Sequence, residues 1–363
     1  MDFPTQISAI EARIKQIDPV KYASTRNFEN GAVTYLSPYI SRGVISTQQV
    51  MNYVQSLDLP WYKTEKFVQE LAWRDYWQQV HIDKKEAILT DLKNEQSDVT
   101  NHEIPSAIVA ADTGIIAVDE AIEKLYETGY MHNHMRMYVA AICCNIAKSH
   151  WLVPAKWLYA HLKDGDLASN HLSWQWTAGA FSNKKYVANQ ENINKYFDSD
   201  QTGTFLDIPY SAFEHLKIPK ILLRTEKPGF NLCFPETSKA GIKSDQKTLI
   251  YNYYNIDPNW HSEEKAQRIF LIEPSFFQKY PVSQKSLDFA LELTENIEEI
   301  QIYVGEFSEL NKEISSDNII FKEHPTNNHY VGKSEDRDWM SDVKGYHSSF
   351  FKFWKKVQKE IKW

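Results

Sequence analysis

Two aspartates flank a glycine at Asp164-Gly165-Asp166, an asparagine follows at Asn170, and Trp174 and Trp176 complete the run. Indole rings bury well but need a partner for the N–H. Carboxylates are seldom fully buried unless paired. The segment therefore calls for cations and polar partners from elsewhere in the chain. Arg74, in Glu70-Leu-Ala-Trp-Arg74, and Arg136, in Met131-His-Asn-His-Met-Arg-Met137, are the candidates. Such a set can hold and polarise a charged ligand, or it can be a buried ion-pair cluster in a helical core; residue types alone leave both readings open.

The elements that must position these residues read as helices. Residues 61–80 have a helical pattern that places Glu70, Trp73 and Arg74 within about one turn. Residues 133–150 read as one long apolar helix, with Asn133, Arg136 and Met137 on one face at i, i+3 and i+4. Residues 151–162 form the next helix. Ser37 reads as an N-cap with Pro38 at the first helical position. Residues 91–110 and 183–205 read as irregular. No strand pattern is convincing before residue 215, so residues 1–215 read as an all-helical domain.

After Pro219 the pattern changes. Short apolar runs at residues 268–273, 300–304 and 318–322 are of strand type. Helical patterns at 283–294 and 306–313 lie between them, and an amphipathic helix at 346–361 closes the chain. Strands alternating with helices predict a small parallel α/β domain over residues 216–363. The run at 248–251 fits either an extra strand or a linker. The fold class expected is mainly α, with a smaller α/β, Rossmann-like region at the C-terminus.

Composition excludes several classes. The 363 residues are 42% hydrophobic and 24% charged, as in ordinary soluble globular proteins. Eleven tryptophans are present, seven of them before residue 180, which fits an aromatic-lined site. The net charge of −8 provides no global field for nucleic acid, so any such binding rests on a local patch. Cys143, Cys144 and Cys233 make neither a disulfide framework nor a four-thiolate metal cluster. There is no leader pattern, no membrane-spanning stretch and no Gly-rich phosphate loop, so a reduced cytoplasmic location with no membrane partner is expected.

Six motifs in order give a more specific reading. They are Tyr22-x-x-x-Arg26-Asn27; Thr34-Tyr-Leu-Ser-Pro-Tyr-Ile40 with Gly43 and Ser46; Glu70-Leu-Ala-Trp-Arg-Asp-Tyr76; Thr113-Gly114 with Asp119; Thr128-Gly-Tyr-Met-His-Asn-His-Met-Arg-Met137; and Asp164-Gly-Asp-Leu-Ala-Ser-Asn170 with Trp174-Gln-Trp176. Together, over roughly residues 20–180, they resemble the FAD-binding helical domain of the photolyase/cryptochrome family. The resemblance implies reduced FAD as a light-driven one-electron donor, with the protein supplying position and electrostatics. It implies that Asn170 faces flavin N5 and that Arg136 pairs with Asp164 beside the isoalloxazine. Asp166 would accept from flavin polar atoms. Arg74, Tyr22, Thr34, Leu36 and Ser37 would hold the phosphate or ribityl region, and Asn133 would also reach the cofactor.

In members that repair cyclobutane pyrimidine dimers, a glutamate and an asparagine hydrogen-bond the flipped-out dimer, with aromatic residues and a methionine packed against it. The resemblance puts Glu70 and Asn133 in the first roles and Trp73, Trp176 and Met137 in the second. Arg26, Lys184 and Lys185 would meet phosphates of damaged DNA, single- or double-stranded and weakly bound. Trp174 and Trp151 match the first two positions of an electron-transfer chain. The third falls between Asp98 and His102, where no tryptophan stands; Trp77, Trp157 or Tyr159 substitutes, or photoreduction is slow. His132 and His134 read as helix-surface or phosphate-side residues. The family's α/β antenna domain normally precedes the helical domain. Here the α/β-like region follows, so the chain reads as a rearranged or truncated member whose C-terminal region is a relocated antenna domain or an unrelated one. The resemblance implies a dimer-splitting lyase. A cryptochrome-like photoreceptor signalling to a protein partner is the alternative, and a purely structural helical remnant is the third possibility.

Overall fold

A computed structural model describes residues 2–238 and 241–363. The chain divides into two compact units that are each discontinuous in sequence. Unit 1 holds Asp18–Val33 and Asp83–Gly229; unit 2 holds Asp2–Ile17, Thr34–Ile82 and Phe230–Trp363. These units cut the chain differently from a boundary between residues 215 and 216.

Among the described residues, unit 1 is helical apart from a two-residue pair, in which β1 (Ile104–Pro105) runs antiparallel to β2 (Thr225–Glu226), and an isolated bridge between Asn101 and Ser149. Its core packs the Leu167–Ala178 helix against Asn133–Ala141 and Leu152–His161. Trp151, Trp157, Tyr138 and Tyr159 are fully buried there. Asp166 caps the first of these helices, accepting from Ser169 N at 2.7 Å, and Gly179 ends it in the left-handed region at φ +85°. The expected helix over 133–150 is shorter. It runs Asn133–Ala141, passes into a π-helical turn at Ile142–Ile146, and stops where Lys148 takes φ +55°. Backbone bonds from Thr100 N to Lys148 O and from His150 N to Asn101 O strap that exit to a neighbouring strand-like segment, and tertiary bonding overrides the apolar pattern. The stretch 183–205, expected to be irregular, contains the Gln190–Tyr196 helix, capped by Asn189.

Unit 2 contains a five-stranded, wholly parallel sheet: β3 (Thr248–Tyr251), β4 (Gln267–Ile272), β5 (Ile300–Val304), β6 (Ile319–Lys322) and β7 (Lys333–Glu335), in the order β5-β4-β3-β6-β7. The order reverses between β3 and β6, as in doubly wound sheets. Strands β3 and β4 are buried throughout, which explains their apolar runs at 249–251 and 269–272. Phe307, Leu310 and Ile314 of the connection after β5 pack with Ile250, Ile269, Leu271 and Phe321. The run at 248–251, ambiguous by pattern, is the central strand.

The long helix Trp61–Lys84 lies in unit 2 up to Ile82, and its partners come from the C-terminal region. Phe350 stacks on Trp73 with centroids 3.7 Å apart and rings 9° from parallel. Tyr76 OH donates to His347 O, Gln78 accepts from Arg337, and Gln79 accepts from Gly345 N. Asp75 is buried and accepts from Thr47 Oγ1 at 2.9 Å and Met340 N at 3.0 Å. Burial pushes its carboxyl up to about 6, against the pull of those two donors. A raised folded-state pKa means that the folded chain holds the proton longer than the unfolded one. This group's contribution is therefore fully present below about pH 4 and lost as pH rises through about 6, a change of about 3 kcal/mol. Asp75→Asn should remove that slope. In urea unfolding, the variant should gain on the wild type between pH 4.5 and 7; a difference that stays constant with pH would mean that Asp75 ionises as freely folded as unfolded.

Among the described residues, no helix is long and apolar enough to cross a membrane.

Candidate flavin site

In unit 1 the ion pair forms. Arg136 Nη2 lies 2.9 Å from Asp164 Oδ2, with the carboxylate side chain 4% exposed and the guanidinium 20%. Arg136 Nε also donates to Met131 O at 2.8 Å, and its guanidinium carbon lies 5.4 Å from the Tyr130 ring centroid. Gly165 is required between the two aspartates, because a Cβ there would stand 2.7 Å from Tyr159 O. Asp166, expected to accept from a ligand, uses one oxygen on the helix cap. Asn170 Nδ2 is fixed on Ala155 O at 2.8 Å, so the assigned amide presents its oxygen away from that bond. Ser169 Oγ is buried and makes no hydrogen bond among the described residues.

The aromatic residues fall into two kinds. Trp174 and Trp151 are buried. Trp151 Nε1 donates to the Asp91 carboxylate, Oδ1, at 2.6 Å. The stretch where a third tryptophan is expected holds His102, stacked on His150 at 5.0 Å. Tyr159 connects toward Trp151 through His171, with ring centroids 5.8 and 6.1 Å apart, whereas Trp157 Nε1 is taken up by Tyr126 OH. Trp176 is different: it remains 38% exposed, with Tyr186 beside it at 6.1 Å. Asn133 is exposed and Met137 half-buried on their helix.

Tyr22 and Arg26 are also in unit 1, and Arg26 Nη1 is turned back onto Ala23 O at 2.7 Å. His132 and His134 are not surface residues. They are half-buried among Tyr196, Phe197 and Tyr138, and burial pushes both down to about 4, so both are neutral at pH 7.

The other expected site residues lie in unit 2. Glu70 pairs with Lys66 at 2.8 Å, and Arg74 Nη1 donates to Ser41 Oγ at 2.9 Å. Thr34 Oγ1 accepts from Leu36 N, and Leu36 is a buried core residue. The helix there is only Ser37–Ser41 and starts one residue earlier than expected, with Leu36 rather than Ser37 in the cap position and no side-chain cap bond. Ser37 is therefore helical and does not cap. Pattern reading missed Ser169, Asp75, Tyr186 and Phe350; a serine or a phenylalanine carries no positional signal until its neighbours are known.

Residues 67–210 match the family model described as the FAD binding domain of DNA photolyase. This part of the chain is similar to the photolyase/cryptochrome family. A deoxyribodipyrimidine photo-lyase of Streptomyces griseus is 31% identical over 175 residues, covering 46% of this chain and 37% of the relative. That of Alkalihalophilus pseudofirmus is 27% identical over 208 residues, covering 54% and 42%. A Synechocystis cryptochrome structure aligns at 26% identity and a TM-score of 0.48, over 54% of this chain and 44% of that one. The matched region thus spans less than half the length of each of these relatives, and the sheet of unit 2 lies outside residues 67–210.

The matching family model is that of an FAD-binding domain, and the residues of unit 1 fit that cofactor. The unsatisfied Ser169 hydroxyl and the anchored Asn170 amide share one helix turn, and the buried Arg136–Asp164 pair adds no net charge. Arg136, Asp164, Asp166 and Asn170 are the residues that would hold the ring system.

Proposed function

We propose that the chain is a light-dependent lyase that splits cyclobutane pyrimidine dimers in damaged DNA. Reduced FAD, held by Arg136, Asp164, Asp166 and Asn170, would supply the light-driven one-electron chemistry of dimer splitting. The exposed Trp176 ring with Tyr186 beside it carries this reading, since base–aromatic stacking offsets the cost of flipping a dimer out. Asn133 would hydrogen-bond base edges and Met137 would pack against the dimer. Glu70 would supply the second hydrogen bond, and Trp73 a further apolar contact. Arg26, Lys184 and Lys185 would meet phosphates. Tyr22, Thr34, Leu36, Ser37 and Arg74 are the proposed contacts for the phosphate and ribityl end of the flavin, and Trp174 and Trp151 the route by which it is re-reduced. The proposed location is the cytoplasm.

Glu70→Ala should lower dimer repair roughly tenfold, the worth of one hydrogen bond to substrate, while leaving flavin occupancy unchanged. The measurement is dimer loss in single-stranded and duplex oligonucleotides under blue light, with the reduced state checked by absorbance. A fully reduced sample that repairs neither substrate sinks the lyase.

A photoreceptor signalling through its C-terminal region to a protein partner is the second reading. One observation favours it: Phe350 of the C-terminal helix stacks on Trp73, which ties a proposed dimer contact to the C-terminal region. Light-dependent exposure of residues near Phe350 to proteolysis, without repair, is its expected signature.

A further inference from the structure

The C-terminal helix Phe350–Glu360 has two unlike faces. Phe350, Phe353, Trp354 and Val357 are buried in unit 2. The opposite face carries Lys352, Lys355, Lys356 and Lys359, all exposed, and Lys362 follows. Residues 350–363 hold five lysines against one acid, Glu360, in a chain whose net charge is −8. Among the described residues none of the five ammonium groups is in an ion pair; only Lys352 is engaged, donating to Ser348 Oγ. Glu360 accepts from Asp342 N, and the nearby Glu65 accepts from Gln358.

Two exposed rings neighbour these lysines in sequence, Phe351 beside Lys352 and Trp363 beside Lys362. Phe351 is 63% exposed on the flank of the lysine face, and Tyr62 is 76% exposed at the start of the Trp61–Lys84 helix. Trp363 is also exposed; it packs on Trp61 at 5.0 Å, and Trp61 packs on Trp354 of the C-terminal helix at 6.2 Å. Trp363 Nε1 donates to Leu59 O and Gln55 to Lys362 O, so the end of the chain is pinned in place. The lysines recur about every turn, ~5.4 Å apart, a spacing that an extended phosphate backbone can follow.

We propose that this face binds single-stranded nucleic acid, with Lys352, Lys355, Lys356 and Lys359 on phosphates and Phe351 and Trp363 stacking bases. It rests on the lyase reading only for the class of ligand, and it lies outside residues 67–210. A basic row interleaved with exposed rings is the pattern that recognises strands without sequence preference. A membrane surface is disfavoured because a helix lying on lipid needs a free apolar face, and this one has buried its own.

The test uses the full chain in the dark with a labelled, lesion-free oligothymidylate, so that neither repair nor lesion binding enters. Anisotropy titrations over a range of salt give affinity and slope. The triple variant Lys355→Glu, Lys356→Glu, Lys359→Glu should bind at least about tenfold more weakly, and its log–log salt slope should fall by about 2, near 0.7 per lost contact. Phe351→Ala should weaken binding about fivefold or more with the slope unchanged. These positions are exposed, and circular dichroism checks that both variants fold. Unchanged affinity and slope in the triple variant overturn the proposal. So does a wild type that ignores the oligonucleotide yet binds phosphatidylserine vesicles.

Discussion

Asp164→Ala should purify largely without flavin and with unit 1 destabilised by about 3–5 kcal/mol, the usual consequence of breaking a buried ion pair from one side. The reason is the asymmetry of the site. Asp164 is almost wholly enclosed, while Arg136 keeps a fifth of its side chain in contact with solvent. Removing the carboxylate leaves a guanidinium held on Met131 O with its charge poorly solvated. The solvent it retains puts the loss at the lower end of that range. Asp164→Asn keeps the shape and one acceptor oxygen and should fall between the wild type and the alanine variant. Flavin absorbance per polypeptide and thermal unfolding read both effects. Full occupancy with an unshifted melting curve in Asp164→Ala would show that the pair neither holds the cofactor nor supports the fold.

The second large effect should come from truncation. A chain ended at residue 229 retains all of unit 1 but only the N-terminal parts of unit 2. The Trp61–Lys84 helix then loses Phe350 from Trp73, the His347 carbonyl from Tyr76, Arg337 from Gln78 and the Met340 amide from Asp75. Exposing the Trp73 and Tyr76 side chains costs about 2 kcal/mol each, against a total stability of only about 5–15 kcal/mol for a typical domain. The truncated chain should therefore lose helical signal beyond that of the deleted helices, and it should aggregate. Limited proteolysis should cut first within residues 34–82. A soluble, flavin-loaded fragment that unfolds cooperatively would show that residues 1–229 are self-sufficient.

Much of the secondary structure could be read from the sequence, for a local reason. Strands β4, β5 and β6 lie in a parallel sheet, so they appear as short runs rich in isoleucine, valine and phenylalanine between helical patterns. The helices at Trp61–Lys84 and Gln284–Thr294 likewise carry their period in their own residues. By contrast, β7 is the polar run Lys333–Glu335, which is a strand only because β6 offers it an edge. The π turn at Ile142–Ile146 looks from its composition like more helix.

The candidate site divides in the same way. Asp164, Arg136 and Asn170 could be named from residue types and motif order, because a buried carboxylate demands a cation and an unusual polar run stands out in an apolar helix. Which groups remain unsatisfied depends on distances: Ser169 is one serine among many until its hydroxyl is found without a partner. Trp73 and Asp75 show the limit most clearly. Their own helix places them, but their partners Phe350 and Met340 are remote in the chain, Met340 by 265 residues, and no periodicity links such positions. The sequence by itself determined most of the helical and strand segments, the charge balance and the chemical types gathered in the flavin motifs, since these are properties of neighbouring residues. Only the tertiary structure decided that residues 34–82 join the C-terminal sheet, because that choice depends on which apolar faces bury each other once the whole chain has collapsed.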